Sequence, residues 1–194
     1  MPFDHKSPPA SPRSGATLRS VAALVEAGAV APEAAGVLEE VSRSFAVGVT
    51  PAMLAAMRPG DPLDPVARQF VPAPEELATA AEELADPIGD DAHSPVEGIV
   101  HRYPDRVLLK PIHVCPVYCR FCFRREVVGP GSEALSPAAL AVAIDYIRDN
   151  AGIWEVILSG GDPLMLSPRR LSEIVAALSA IPHVGVIRLH TRVP

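Results

Sequence analysis

The sequence predicts an α/β fold: a parallel strand–helix–strand–helix–strand unit preceded by a helical N-terminal region. Three observations carry this. Short apolar runs at 107–112, 154–158 and 184–190 have the length and composition of buried strands. Between them lie two amphipathic helical stretches, opened by Ser136-Pro137 and Ser167-Pro168, and this order implies parallel strands with right-handed crossovers. The most chemically specific residues directly follow the first two strands, and parallel α/β folds collect their chemistry at such C-terminal strand ends.

The elements follow in order. Residues 1–16 are rich in Pro and Ser with little to bury, and are predicted to be a disordered tail. Residues 17–100 form the helical N-terminal region and a wrapping loop. Leu18, Val21, Ala22, Leu24 and Val25 share one helical face, and Gly28 ends that helix. A second helix runs from Pro32, well suited to a first helical position, to about Phe45, with Val37, Leu38, Val41 and Phe45 inward. Thr50 as N-cap and Pro51 open a third, which carries Met53, Leu54 and Met57 and stops at Pro59-Gly60. The Pro- and Asp-rich stretch 59–100 is predicted to be mostly loop, with short helices at about 65–70 and 74–84. The core occupies 101–194. Pro111 ends its first strand, where a missing N–H is tolerated. The first crossover helix turns Leu140, Ile144 and Ile147 inward and ends at Asn150 and Gly152. The second turns Leu171, Ile174, Val175 and Leu178 inward.

A length of 194 residues allows one sizeable domain and at most a small second one, and 48% hydrophobic residues can supply a core. A net charge of −6 without a long basic run argues against a nucleic-acid partner. No apolar run approaches the roughly 20 residues that span a bilayer. The polar N-terminus lacks the apolar segment of a secretory signal, so a reduced, cytoplasmic setting is expected.

All three cysteines, Cys115, Cys119 and Cys122, fall in a C-x3-C-x2-C pattern. An odd, tight cluster is ill suited to disulfides and asks for a metal. Structural zinc wants four ligands; His113 is near, but its one-residue spacing from Cys115 is tighter than paired zinc ligands normally show. Three thiolates suit a cubane iron–sulfur cluster with one iron left without a protein ligand, able to bind a small molecule and pass it an electron. Zinc, with or without His113, and an incidental thiol cluster are the alternatives. In the turn Ser159-Gly-Gly-Asp162, the glycines permit close backbone approach and the carboxylate can pair with an ammonium. By itself such a turn is more often structural.

The cysteine spacing, with Phe121 before the third cysteine, resembles the radical S-adenosylmethionine (SAM) superfamily. His101-Arg-Tyr-Pro-Asp-Arg106, Asp145-Tyr-Ile-Arg148 and Leu158-Ser-Gly-Gly-Asp162 extend the resemblance to the lysine 2,3-aminomutase family, from about Asp61 to Pro194. The resemblance implies a partial (β/α) barrel in which Cys115, Cys119 and Cys122 ligate a [4Fe–4S] cluster. Phe121, Ser159, Gly160, Gly161 and Asp162 would hold SAM. Arg102, Tyr103 and Arg106 would surround pyridoxal 5′-phosphate (PLP), since an arginine fork matches phosphate. Arg124 would grip the substrate α-carboxylate. For the arginines the structural alternative is a surface ion pair, with Glu126 as the partner of Arg124. The implied activity is an isomerase that moves an α-amino group to the β-carbon of a small-molecule amino acid, lysine first. No membrane partner is implied, and a homo-oligomer stays open.

The chain departs from the family in length: about three strands stand where the family has six βα units. The lysine that binds PLP has no counterpart, since Lys6 and Lys110 stand elsewhere in the pattern, so no catalytic residue is assigned. The chain reads as an N-terminal portion whose open third strand leaves an unpaired edge, with poor solubility or self-association expected. The run Cys122-Phe-Arg-Arg-Glu126 leans towards the branch that makes β-lysine for elongation factor P. A radical SAM enzyme of another reaction type and a non-catalytic iron–sulfur- or zinc-binding remnant are the competing readings.

Overall fold

A computed structural model of the protein describes residues 15–58, 61, 63–129, 131 and 134–192. Most of the tail predicted at 1–16 and the helix stop at Pro59-Gly60 lie outside the described residues.

The N-terminal layer consists of short capped helices. In α1 (Val21–Glu26) the Ser20 side chain accepts from the Ala23 N–H at 3.2 Å, supplying one of the partners that a helix start lacks. A 3-10 turn at Pro32–Ala34 leads into α2 (Ala35–Ser44). Thr50 caps α3 (Pro51–Ala56) by accepting from Met53 N–H at 3.4 Å, and α4 (Ala67–Phe70) follows. Val21, Leu24, Leu38, Val47, Val49 and Phe70 form the buried centre of this layer. Two predicted inward positions are corrected. Val37 is exposed because the buried stripe of α2 runs through Leu38 and Val41, one step round the helix; Ala22 is likewise on the outer side of α1.

The helix predicted at 74–84 is only a 3-10 turn, Pro74–Leu77. Residues 78–85 are exposed throughout. With no face to bury, good helix formers in so short a segment do not hold a helix.

The sheet has four strands in the order β1 (Ile99–Tyr103), β2 (Arg106–Ile112), β3 (Glu155–Gly160) and β4 (Val186–Leu189). β2–β3 and β3–β4 are parallel as expected, but β1 pairs antiparallel with β2. The expected three-strand parallel unit is present, and β1 adds a fourth, antiparallel strand that makes the sheet mixed. Pro104-Asp105 is a two-residue hairpin loop, and it folds the stretch before it back onto the first core strand.

Alternation along β2 and β3 gives the sheet two faces. Val107, Leu109, Val156 and Leu158 face α5 (Pro137–Asp149) and α6 (Pro168–Ser179) and pack on Ile144, Ile147, Ile174 and Leu178. Each such side chain contributes roughly 1.5–3 kcal/mol when fully buried. Ser136 and Ser167 cap the two helices, accepting from Ala139 N–H at 3.0 Å and Arg170 N–H at 3.3 Å. The opposite face, away from the helices, carries Arg106, Leu108 and Lys110 from β2 and Glu155, Ile157 and Ser159 from β3. Ile88 and Asp90 of the overlying loop, and Arg124 just after the cysteines, lie over this face. Among the described residues, no strand pairs with the outer edge of β4, and no helix is long and apolar enough to cross a membrane.

Candidate functional site: a cysteine-lined cavity beside a basic one

A cavity of about 490 Å³ opens at the C-terminal ends of β2, β3 and β4. Its wall contains Cys115, Cys119 and Cys122 from the segment after β2, residues 159–162 at the end of β3, and Thr191 and Arg192 after β4. Two glycines make the close approach. Gly160 has φ +96°, and a Cβ there would lie 2.6 Å from the Ile112 carbonyl. A Cβ on Gly161 would lie 2.6 Å from the Val114 nitrogen. The turn is thereby zipped to the backbone that leads into Cys115: Gly161 N–H donates to Ile112 O at 2.7 Å and Asp162 N–H to Val114 O at 3.0 Å.

Asp162 is buried, and its carboxylate accepts from Leu164 N–H at 3.0 Å, Thr191 Oγ1 at 2.8 Å and Arg192 N–H at 2.9 Å. It braces the turn after β3 to the end of β4. Burial, then Asp162 and the two other cysteines, pushes the Cys115 thiol up to about 12. Burial also raises Cys119, opposed by Arg192, whose Nη1 donates to Cys119 Sγ at 2.9 Å. Such thiols need a bound cation to ionise, which is what ligation supplies. Among the described residues, no three His, Cys, Asp or Glu side chains converge as ligands of a single ion would. A four-iron cluster, which takes each thiolate on a different iron, is compatible with this wider spread. His113 is not in the wall, and its Nδ1 is buried without a hydrogen-bond partner.

The N-terminal layer grips the cysteine segment from outside. Arg120, between Cys119 and Cys122, donates from Nε and Nη2 to Glu76 at 3.0 and 2.6 Å and from Nη1 to Ala46 O at 2.7 Å. Its N–H donates to Gln69 O at 2.8 Å, Tyr118 N–H donates to Gly48 O at 3.1 Å, and the Arg125 guanidinium lies 4.1 Å over the Phe45 ring.

A smaller cavity of about 150 Å³ lies on the helix-free sheet face, lined by Asp90, Arg102, Tyr103, Arg106 and Arg124 among others. Arg124 donates from Nε to Asp90 Oδ2 at 2.9 Å. Arg102 bonds the Ile88 carbonyl and stands 3.9 Å from Asp90 Oδ1. Arg106 takes both oxygens of Asp105, at 3.0 and 2.9 Å, and stands 3.6 Å from Glu155. The Asp86 carboxylate organises the overlying loop, accepting from Asp90 N–H at 2.9 Å and Asp91 N–H at 2.8 Å. These bonds hold its carboxyl below the ordinary carboxylate value.

Sequence reasoning thus named residues that divide between two cavities. The cysteines, Phe121, Ser159, Gly160, Gly161 and Asp162 share the larger; Arg102, Tyr103, Arg106 and Arg124 share the smaller. The ion-pair partner of Arg124 is Asp90, not Glu126, whose nearest cation is Arg125 at 3.9 Å. Sequence reasoning missed Asp90, Arg192 and the position of Lys110. Period-two alternation from Arg106 would have put Lys110 on the helix-free face; nothing local marks Asp90 or Arg192.

The radical SAM superfamily pattern matches residues 109–193. The chain is 43% identical over 152 residues to the L-lysine 2,3-aminomutase of Clostridium subterminale, covering 78% of this chain and 36% of that protein. It is 46% identical over 131 residues to the L-lysine 2,3-aminomutase of Methanococcus maripaludis, covering 68% and 30%. The glutamate 2,3-aminomutase of Clostridioides difficile is 37% identical over 155 residues, covering 80% and 36%. The chain spans about a third of the length of these relatives. With this pattern over its cysteine-bearing core, it belongs to the radical SAM superfamily. More narrowly, it is a member of the lysine 2,3-aminomutase family.

Proposed function

We propose that this chain carries the radical-generating machinery of a SAM- and PLP-dependent 2,3-aminomutase acting on a free amino acid, with lysine the first substrate to test. The carrying observation is the adjacency of two unlike cavities, one lined by three cysteines and a glycine turn, the other by three arginines and a tyrosine. When bound, the cluster and SAM supply a carbon radical that removes an unactivated hydrogen, and PLP supplies a conjugated partner for the migrating amine.

The remaining work falls to side chains of this chain. Cys115, Cys119 and Cys122 would hold the cluster through their thiolates. The backbone of Gly160 and Gly161 and the residual acceptor capacity of Asp162 receive an ammonium group, and Ser159 and Phe121 complete that wall. Arg102 and the Nη1 that Arg106 does not give to Asp105 would supply donors for a phosphate, with Tyr103 a flat ring beside them. Among the described residues Arg124 gives its Nε to Asp90, and its Nη end would serve a carboxylate. The N-terminal layer over Arg120 shields the cysteines from solvent. Residues 17–100 act as this covering layer and 101–194 as the catalytic core, in a reduced cytoplasmic setting.

The test is electron paramagnetic resonance on protein reconstituted anaerobically with iron and sulfide, reduced, and mixed with SAM. A reduced four-iron signal that changes shape with SAM is expected, together with the absorbance of bound PLP. A cluster indifferent to SAM defeats the reading. A SAM response without PLP binding leaves a radical SAM enzyme of another reaction type.

A further inference from the structure

Buried charges are normally matched one to one, because an unpaired ion in a low-dielectric interior is costly. Asp90 breaks this pattern. Its single carboxylate faces three cations: Arg124 at 2.9 Å, Lys110 at 3.8 Å and Arg102 at 3.9 Å. The side chains of Asp90 and Arg124 are 10% exposed and that of Lys110 is 13% exposed. Among the described residues Lys110 has no other ion pair. It addresses the same oxygen, Oδ2, as Arg124. The two cations therefore converge on one point and stand within an amino acid's length of each other.

The position of Lys110 gives that convergence a purpose. It lies on β2, on the helix-free face with Arg106 and Leu108. Its Cβ is 3.0 Å from where a Cβ on Gly160 would sit. The side chain thus starts beside the glycine turn of the larger cavity and ends at Asp90 in the wall of the smaller. Lys110 lines neither cavity itself, but a carboxylate that displaces Asp90 Oδ2 between them meets both cations. Asp86 of the overlying loop also feels the charge of Lys110, so three cations stand against two carboxylates, and the remaining positive charge favours entry of a third.

We propose that Lys110 is a second cation for the substrate α-carboxylate: with Arg124 it forms a two-armed clamp, and Asp90 is the counterion that keeps both arms aligned until the carboxylate arrives. This rests on the amino-acid reading above and deepens it.

The experiment compares L-lysine with L-lysinamide, whose carboxyl carries no charge, by titration calorimetry on SAM- and PLP-loaded protein. The ratio of the two affinities isolates the carboxylate within each variant, so general loss of quality cancels. Charge-assisted contacts are strong enough that the ratio should fall about tenfold in Lys110→Met and recover in Lys110→Arg. The cluster signal and circular dichroism check the fold, and Lys110→Gln replaces the Met variant should it not accumulate. An unchanged ratio in the neutral variant overturns the inference, since Lys110 would then only balance Asp90. Wild-type protein that binds neither compound overturns the proposed function and the clamp with it, which separates the two failures.

Discussion

Removing the Glu76 carboxylate should uncouple the cysteine segment from the N-terminal layer. In Glu76→Ala, Arg120 loses both bonds to Glu76, at 3.0 and 2.6 Å, and keeps only the Ala46 carbonyl at 2.7 Å. The side chains of the pair are 8% and 10% exposed, so water does not replace the lost partner. Breaking a buried pair by deleting one ion costs about 3–5 kcal/mol. For a chain of this size that lowers Tm by on the order of 10 °C. Urea and thermal unfolding read the stability, and iron bound per chain after reconstitution reads the site, because Arg120 lies between two of the three cysteines. The double change Glu76→Leu with Arg120→Met should recover much of the loss, as apolar replacement of buried pairs often does. A loss in Glu76→Ala below about 1 kcal/mol, the range of exposed ion pairs, would refute the hold of Glu76 on the cysteine segment.

Three further outcomes are expected. Gly161→Ala puts a Cβ 2.6 Å from the Val114 nitrogen, a backbone atom that cannot swing aside, and should weaken SAM binding more than tenfold by equilibrium dialysis; wild-type affinity would contradict the close-approach role. Asp162→Asn keeps one acceptor oxygen but turns the other into an NH2 that opposes either the Leu164 or the Arg192 N–H, costs about 1–3 kcal/mol in unfolding experiments, and should loosen the brace between the turn and the end of β4; unchanged stability would count against the brace. Asp86 titrates below its ordinary 3.8, chiefly through the N–H groups of Asp91 and Asp90. A depressed carboxyl stabilises above its unfolded value and loses that contribution as pH falls through the folded one. Hydrogen exchange should therefore find the Asp90 and Asp91 amides protected at about pH 5 and released by strong acid, while Asp86→Asn removes that pH dependence.

The sheet and its crossover helices were legible where local signals and burial agree. Ser136-Pro137 and Ser167-Pro168 open helices with buried apolar stripes, and both are present with the expected caps. The segment 78–85 had helix-forming residues but no partner surface, and sequence alone does not reveal that lack. The strand at Ile99–Tyr103 was hidden because its outer half is polar: His101 meets Tyr146 at 2.7 Å, and Arg102 and Tyr103 face outward. The cysteines and the glycine turn were readable as neighbours because each directly follows a parallel strand, and they line one cavity. Asp90 was not, since its meaning comes from Lys110 and Arg124, twenty and thirty-four positions away in the chain.

The Asp162 brace has a mechanical consequence. One carboxylate takes hydrogen bonds from its own turn and from two residues about thirty positions further on. A tug on the glycine turn is thus carried sideways to the tip of the neighbouring strand, without passing through the length of the crossover helix. The turn that lines the larger cavity and the tip of the sheet's open-edge strand thus share one anchor.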